Sequence, residues 1–313
     1  MWQPSCSHEA LKARAELYAQ LRAFFSARNV LEVETPVISG AGSTDPFLDS
    51  LRIEENETRF LHTSPEFAMK RLLASGIGDI YQLCKSFRRN EFGGRHNPEF
   101  TMLEWYRVGW SLHELMAEIS ELVRGVLDCE SPRHLTYKQA FIQVLGLNPF
   151  QANLQELRSV CLENADVDAG ALDRDGCLDL LMSHCIEPGL GHDAPCFVMD
   201  YPASQASLAR VEKDKDGDLV GKRAELYFKG IELANAYDEL TNASEQRARF
   251  AEDRKMRREL GLPDVNADEN LIAALEHGLP DCAGVALGID RLLMLKLGAE
   301  RLADVLAFPY DRA

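Results

Sequence analysis

Two apolar runs, Ile80 to Phe87 and Phe100 to Tyr106, bracket the polar, glycine-bearing loop Arg89-Asn90-Glu91-Phe92-Gly93-Gly94-Arg95-His96-Asn97-Pro98. Strands joined by such a hairpin, rather than by regular βαβ alternation, argue for an antiparallel sheet with helices packed on it. The rest of the chain fits this α+β expectation. Residues 8–29 read as an amphipathic helix, with Leu11, Ala15, Tyr18 and Phe25 on one stripe, Leu17, Leu21 and Phe24 beside it, and Asn29 as its stop. Residues 30–35 alternate like a strand that Pro36 ends, and 59–62 read as a short strand. A helix then opens with Ser64 at its N-cap and Pro65 at N1 and closes at Gly76 and Gly78. Helices are expected over 111–127, 153–185, 244–260, 268–277 and 289–297. Strands are expected over 196–201, 224–236 and 285–288, with a charged turn at 214–217.

At 313 residues, 46% hydrophobic and 27% charged, the chain is long enough for its own core. No apolar run approaches the roughly 18–20 residues of a membrane helix. The start, Met1-Trp2-Gln3-Pro4-Ser5, lacks the basic and apolar regions of a signal peptide. Eight cysteines without a Cys-x-x-Cys pair read as reduced thiols, so a cytoplasmic location is expected. The net charge of −16 repels phosphate backbones and disfavours generic nucleic-acid binding. It suits a basic partner protein, though excess acid more often serves plain solubility.

Polar residues stand where an apolar strand expects Val or Ile: Glu232, Asn235 and Glu239, within Ile231-Glu232-Leu233-Ala234-Asn235-Ala236-Tyr237-Asp238-Glu239-Leu240. Buried carboxylates are costly unless cations or metals answer them. Arg88, Arg89, Arg95 and Arg291 supply cations elsewhere, and Glu66 and Glu104 add acid. A pocket with both signs suits a substrate set with both signs, such as ATP with Mg²⁺ plus a cationic small molecule. A Glu in a strand more often lies on a solvated face, so each position alone is weak.

The simple phosphate motifs G-x-x-x-x-G-K-[ST] and G-x-G-x-x-G are missing. Ala283-Gly284-Val285-Ala286-Leu287-Gly288-Ile289-Asp290-Arg291 is a glycine-lined strand whose Arg291 opens a helix, where it can reach a phosphate over backbone that allows close approach. His184, Cys185, His192 and Cys196 are close in sequence, but a helix and an apolar strand carry the two thiols, which argues against zinc. No G-x-S-x-G elbow supports a serine nucleophile.

At Phe87-Arg88, His96-Asn97-Pro98-Glu99-Phe100-Thr101-Met102-Leu103-Glu104-Trp105-Tyr106 and Leu287-Gly288-Ile289-Asp290-Arg291, the chain resembles the class II aminoacyl-tRNA synthetases of the lysyl type. The segment ending in Val33-Glu34-Thr35-Pro36 resembles motif 1, the dimer-interface element, and implies a homodimer. Arg88 to Met102 resembles motif 2, and Gly288 to Arg291 motif 3. The likeness spans nearly all of residues 1–313 as one catalytic domain. With motif 1 beginning near residue 8, no N-terminal OB-fold that reads an anticodon is expected. The closer likeness is to the freestanding paralogues that attach β-lysine to a lysine of elongation factor P. Ala203-Ser204-Gln205-Ala206-Ser207-Leu208-Ala209, Glu232-Leu233-Ala234-Asn235 and Pro280-Asp281-Cys282 point to them.

That resemblance implies an ATP-dependent ligase forming an aminoacyl-adenylate, with (R)-β-lysine as substrate, elongation factor P as partner and tRNA disfavoured. It implies catalytic roles for Arg88 and Arg291 on the ATP phosphates, and Mg²⁺ held by Glu232. It implies nucleotide contacts from Arg89, Asn90, Asn97, Phe100, Leu233 and Gly288. The substrate's distal ammonium would meet Glu239 and Tyr106, and the nearer amine Ser64, Pro65 and Glu66.

Two departures stand out. The usual motif 2 core is Arg-x-Glu, whereas here Asn90 follows Arg88-Arg89 and the carboxylate, Glu91, comes one place later. Either Glu91 shifts in or Asn90 replaces it. Ala286 stands where the lysyl enzymes have glycine; its methyl would crowd an α-amine and favour one displaced by a carbon, or it is ordinary strand packing. A trimmed lysyl-tRNA synthetase acylating an RNA or another small acceptor is the alternative, and a non-catalytic amino-acid-binding regulator a third reading.

Overall fold

The computed structural model describes residues 2–54, 56–165, 167 and 169–313. They form two compact units: Met1–Trp110 with Leu240–Ala313, and Ser111–Glu239.

In chain order, the first unit contains α1 (His8–Ser26), β1 (Leu31–Glu32), β2 (Ile38–Ser39), β3 (Arg52–Ile53), β4 (Arg59–Leu61), α2 (Glu66–Ala74), β5 (Ile80–Phe87) and β6 (Glu99–Val108). The second contains α3 (Leu112–Leu127), β7 (Arg133–Thr136), α4 (Tyr137–Leu145), α5 (Leu154–Ala165), α6 (Arg174–Leu181), β8 (Cys196–Pro202), β9 (Val211–Lys213), β10 (Leu219–Phe228) and β11 (Ile231–Asp238). The chain then completes the first unit with α7 (Ala243–Glu259), α8 (Glu269–Gly278), β12 (Cys282–Gly288) and α9 (Ile289–Leu297).

The sheet of the first unit runs β1-β5-β6-β12. β5–β6 and β6–β12 are antiparallel, as the hairpin predicts; β1 adds a parallel edge pair, Leu31 with Ile80 and Glu32 with Tyr81. Alternation along the strands sorts the side chains by face. One face carries Tyr81, Leu83, Leu103, Trp105, Val285 and Leu287; the other carries Gln82, Cys84, Phe100, Met102, Glu104 and Tyr106, with Gly284, Ala286 and Gly288 from β12. β12 thus turns its large residues one way and its smallest the other. The apolar face is covered by α1, whose Phe25 stacks on Tyr81 at 4.3 Å and meets Trp105 edge-on at 5.4 Å. α1 buries Ala10, Ala13, Leu17, Leu21 and Phe25, a stripe turned from the expected one, and the chain leaves it through Asn29 at φ 56°.

α2 differs at its start. Pro65 is its N-cap residue, without a side-chain cap bond, and the Ser64 hydroxyl accepts from the Glu66 N–H at 3.0 Å instead. In the same unit α7 is strongly polar, yet it buries Arg257 completely. That guanidinium donates to Pro263 O, Asp45 O and Asp49 Oδ1, and Thr44 donates to Asp253. A buried guanidinium has to be answered in this way.

In the second unit the sheet runs β11-β10-β8-β7, with β9 on β10 and a parallel pair at β7–β8. The strand expected over 224–236 is two strands. Lys229 (φ 51°) and Gly230 (φ 67°) form a two-residue turn of the kind hairpins favour, and it folds β11 back on β10. The helix expected over 153–185 breaks into α5, α6 and a single π-turn at Met182–Ile186, with Asp173 capping α6. α4 has a capping box, Thr136 with Gln139, that the sequence reading passed over. Tyr137, Phe141, Leu157, Leu178, Val198 and Tyr201 form this unit's core. Among the described residues no helix is long and apolar enough to cross a membrane.

Candidate active site

In the first unit a buried acidic cluster forms on the small-residue face of the sheet. Ser64 Oγ donates to Glu104 Oε2 at 2.6 Å, and Tyr106 Oη donates to Glu104 Oε1 at 2.7 Å. Glu66 follows in the first turn of α2 and pairs with the buried Lys70 at 2.6 Å. Ser64 and Tyr106, expected at opposite ends of a substrate, therefore meet on one carboxylate. Burial pushes the Glu104 carboxyl up to about 8; nearby Glu66 adds to this, and Ser64, Tyr106 and Lys70 oppose it. A carboxyl under that strain is relieved by an arriving cation. Across the β6–β12 ladder Ala286 faces Glu104, Gly284 faces Tyr106 and Gly288 faces Met102. On this face β12 presents only two glycines and one methyl.

A basic cluster lies around the loop between β5 and β6. Arg88 follows directly on β5, and its N–H bonds Pro98 O at 2.9 Å. Its guanidinium sits 5.1 Å from the Phe100 ring centre and 3.5 Å from Glu91, and its buried Nε has no hydrogen-bond partner among the described residues. Arg291, in the first turn of α9, donates to His96 Nε2 at 2.7 Å. Burial and the cations Arg291, Arg88 and Arg95 hold the His96 pKa below its ordinary value, against Glu91. Three guanidinium groups thus act on one imidazole, with one carboxylate opposing them. Such a set attracts a polyanion.

Asn90 takes the left-handed conformation at φ 66°, and beyond it Glu91 turns back to pair with Arg88. Arg89 bonds Asp49 O through its backbone N–H at 2.8 Å, and its guanidinium lies 3.5 Å from the Asp49 carboxylate. The buried Asn97 carboxamide is committed at both ends. It donates to Glu99 O at 2.6 Å and accepts from Tyr310 N–H at 2.9 Å, tying the loop to the C-terminal residues.

The second unit carries the remaining expected positions. Glu232 is half-buried on β11, whereas Leu233 points into the core. Glu239 is buried just past β11; its residue bridges Ala209, and its carbonyl accepts from Arg210 Nε at 2.9 Å. Asn235 lies between charges: Arg223 Nε donates to its Oδ1 at 3.3 Å, and its Nδ2 donates to Glu225 Oε1 at 3.1 Å. Glu225 also accepts from Tyr201, Tyr227 and Arg223. The sequence reading missed Glu225, which stands directly across the β10–β11 hairpin from Asn235.

Among the described residues no three or more His, Cys, Asp or Glu side chains gather as a metal would need. Mg²⁺, however, is commonly held by one or two carboxylates plus nucleotide phosphates. A half-buried carboxylate such as Glu232 is a donor of the right kind.

Residues 3–312 match the profile of the family described as tRNA synthetases class II (D, K and N). Among curated proteins, the chain is 50% identical over 321 residues to the elongation factor P–(R)-β-lysine ligase of Pectobacterium carotovorum subsp. carotovorum (strain PC1), covering 100% of this chain and 98% of that one. Proteins of the same name from Pseudoalteromonas translucida and Vibrio cholerae serotype O1 are each 51% identical, across 100% of this chain and 99% and 98% of theirs.

Proposed function

Since the chain belongs to the class II tRNA synthetase family (D, K and N), we propose that it is an ATP-dependent ligase that activates (R)-β-lysine as its adenylate and transfers it to a lysine of elongation factor P. The observation that carries the chemistry is the pair of opposite charge clusters in the first unit. Glu104 with Ser64 and Tyr106 attracts an ammonium, and the three guanidinium groups around His96 attract a triphosphate. The names of the relatives support the choice of isomer and acceptor.

Arg88 and Arg291 bind the ATP phosphates and neutralise charge that builds on the α-phosphoryl group. Arg89, Asn90, Asn97 and Gly288 shape the nucleotide's surroundings, Leu233 through its backbone, and Phe100 offers its ring to the base. The Arg88–Glu91 pair favours Glu91 over Asn90 for the motif 2 carboxylate role. Glu104 gathers Tyr106 and Ser64 beside Pro65 and Glu66 at the diamino acid; the role of Glu239 toward the distal ammonium rests on the family likeness alone. Glu232 would hold Mg²⁺, which when bound shields the phosphate charges.

The substrate carboxylate attacks the α-phosphorus, the α–β bridging bond breaks, and pyrophosphate leaves. The neutral amine of the acceptor lysine then attacks the mixed anhydride; an amide forms, AMP leaves, and the amine gives up a proton. No covalent enzyme nucleophile is needed, so positioning and electrostatics carry the rate. The Ala286 methyl, beside Glu104, disfavours α-lysine.

Residues 1–313 act as one catalytic domain in this reading. Leu31 in the motif 1 segment, and Val37 and Ile38 just beyond it, exposed at 50%, 37% and 53%, support a homodimer. All eight cysteines are free, which supports the cytoplasm as the place of work. Acylation of an RNA is disfavoured by the −16 charge. The test offers elongation factor P and tRNA together with ATP and β-lysine, and asks by mass which one gains a lysyl residue. Transfer to the protein alone is expected; transfer to tRNA alone would overturn the assignment.

A further inference from the structure

Asp49 lies in the segment between β2 and β3, outside every motif the sequence points to. Its carboxylate nevertheless stands between two arginines. Oδ1 accepts from Arg257 Nη2 at 3.1 Å, and Oδ2 lies 3.5 Å from Arg89 Nη1. Its carbonyl accepts the Arg89 N–H at 2.8 Å. Asp49 therefore holds Arg89 by backbone and side chain at once, where β5 gives way to the motif 2 loop.

The two arginines differ in circumstance. Arg257 is 0% exposed, and its Nε and Nη1 also donate to Pro263 O and Asp45 O. It is a fixed charge in a packed wall, and Asp49 is the carboxylate that answers it. The Arg89 side chain is 50% exposed, and its ion pair is the longer one. Asp49 thus pairs more closely with the buried Arg257 and holds the half-exposed Arg89 guanidinium by the longer contact. A long side chain left free would have to be immobilised on binding an anion, and immobilising it costs affinity.

We propose that Asp49, anchored by the buried Arg257, is a positioning residue that pre-orients the Arg89 guanidinium for the nucleotide phosphates. This rests on the nucleotide role given to Arg89 above. It extends the nucleotide site to α7, an element outside the three motifs.

The experiment measures ATP affinity by calorimetry, without amino acid, for the full chain and for Asp49→Asn, Arg89→Ala and the double variant. Asp49→Asn keeps the shape and an acceptor for Arg257. It is expected to weaken ATP about three- to tenfold, the loss that goes with one side chain no longer pre-ordered. In the Arg89→Ala background the same change is expected to have no further effect. Melting temperatures of all four proteins identify a variant that has simply lost its fold. Should that happen to Asp49→Asn, Asp49→Glu, which retains the charge, takes its place and is expected to bind ATP within threefold of the wild type. Unchanged or tighter ATP binding by Asp49→Asn, or an equal loss with and without Arg89, overturns the proposal. If the wild-type chain fails to bind ATP, the nucleotide reading falls first and the proposal with it. If it binds ATP while Asp49→Asn matches it, only the positioning role falls.

Discussion

Ala286 stands directly across the β6–β12 ladder from Glu104, so its methyl and the carboxylate lie side by side on one face of the sheet. Directly paired residues bring their Cβ atoms to about 4.5–5.5 Å. Under the proposed function, a substrate ammonium drawn to Glu104 lies beside that methyl.

Replacing Ala286 with glycine removes the methyl and leaves the ladder intact. Ala286→Gly is expected to raise α-lysine activation relative to β-lysine by roughly tenfold, within the about 1–3 kcal/mol that one methylene-sized clash commands. The ratio of amino-acid-dependent pyrophosphate exchange for the two isomers measures it. An unchanged ratio would return Ala286 to ordinary strand packing.

Glu104 gives the site a pH dependence. Its carboxyl, ordinarily near 4.5, is raised to about 8, so it carries a proton in the empty protein at neutral pH. An ammonium prefers the carboxylate, so binding below pH 8 expels that proton. KM for β-lysine is therefore expected to fall by up to about tenfold per unit as pH rises toward 8, and then to level off. The same shift means that Glu104 favours the folded state most at low pH; the empty protein loses that contribution as pH rises through 8. Glu104→Gln should flatten the KM profile and weaken β-lysine while sparing ATP. A sloping profile in the variant would assign the titration to another group.

Arg291 supplies one of the three cations around His96. Arg291→Ala is expected to lower adenylate formation by about 10²–10³-fold, comparable to removing one preorganised donor at a developing anion. Single-turnover AMP formation measures it, and a wild-type rate would show that Arg291 faces no phosphate.

In the second unit, Glu225 answers the largely buried Arg223 and orients Asn235. Glu225→Ala should cost about 3–5 kcal/mol of stability, because a buried guanidinium loses its carboxylate. Asp216→Ala, which removes the more exposed of the two carboxylates paired with Lys138, should cost far less. Denaturant unfolding of the two variants gives the comparison, and similar losses would mean that Arg223 finds another partner.

The sequence made strand and helix positions legible where one period ran unbroken. β5 begins and ends at Ile80 and Phe87 as the apolar run predicts, and α9 covers 289–297. Reading failed where a turn was hidden. Lys229-Gly230 lacks the usual Asn-Gly or Asp-Gly signature, so β10 and β11 merge into one apparent strand. That merger also conceals Glu225, since only the folded hairpin sets it across from Asn235. Glu104 is visible as an acid in a strand, but its importance comes from Ser64, forty residues earlier in the chain, meeting it from the start of α2. No local pattern encodes that contact. Asp49 escapes for the same reason: its partners lie on β5's exit and on α7.

The most direct measurement is exchange of labelled pyrophosphate into ATP by the purified chain, with each lysine isomer and without any. Exchange that requires a lysine and proceeds faster with (R)-β-lysine than with α-lysine is the predicted result. Failure to exchange with every isomer, by folded protein that binds ATP, would contradict adenylate formation and with it the account of the two charge clusters.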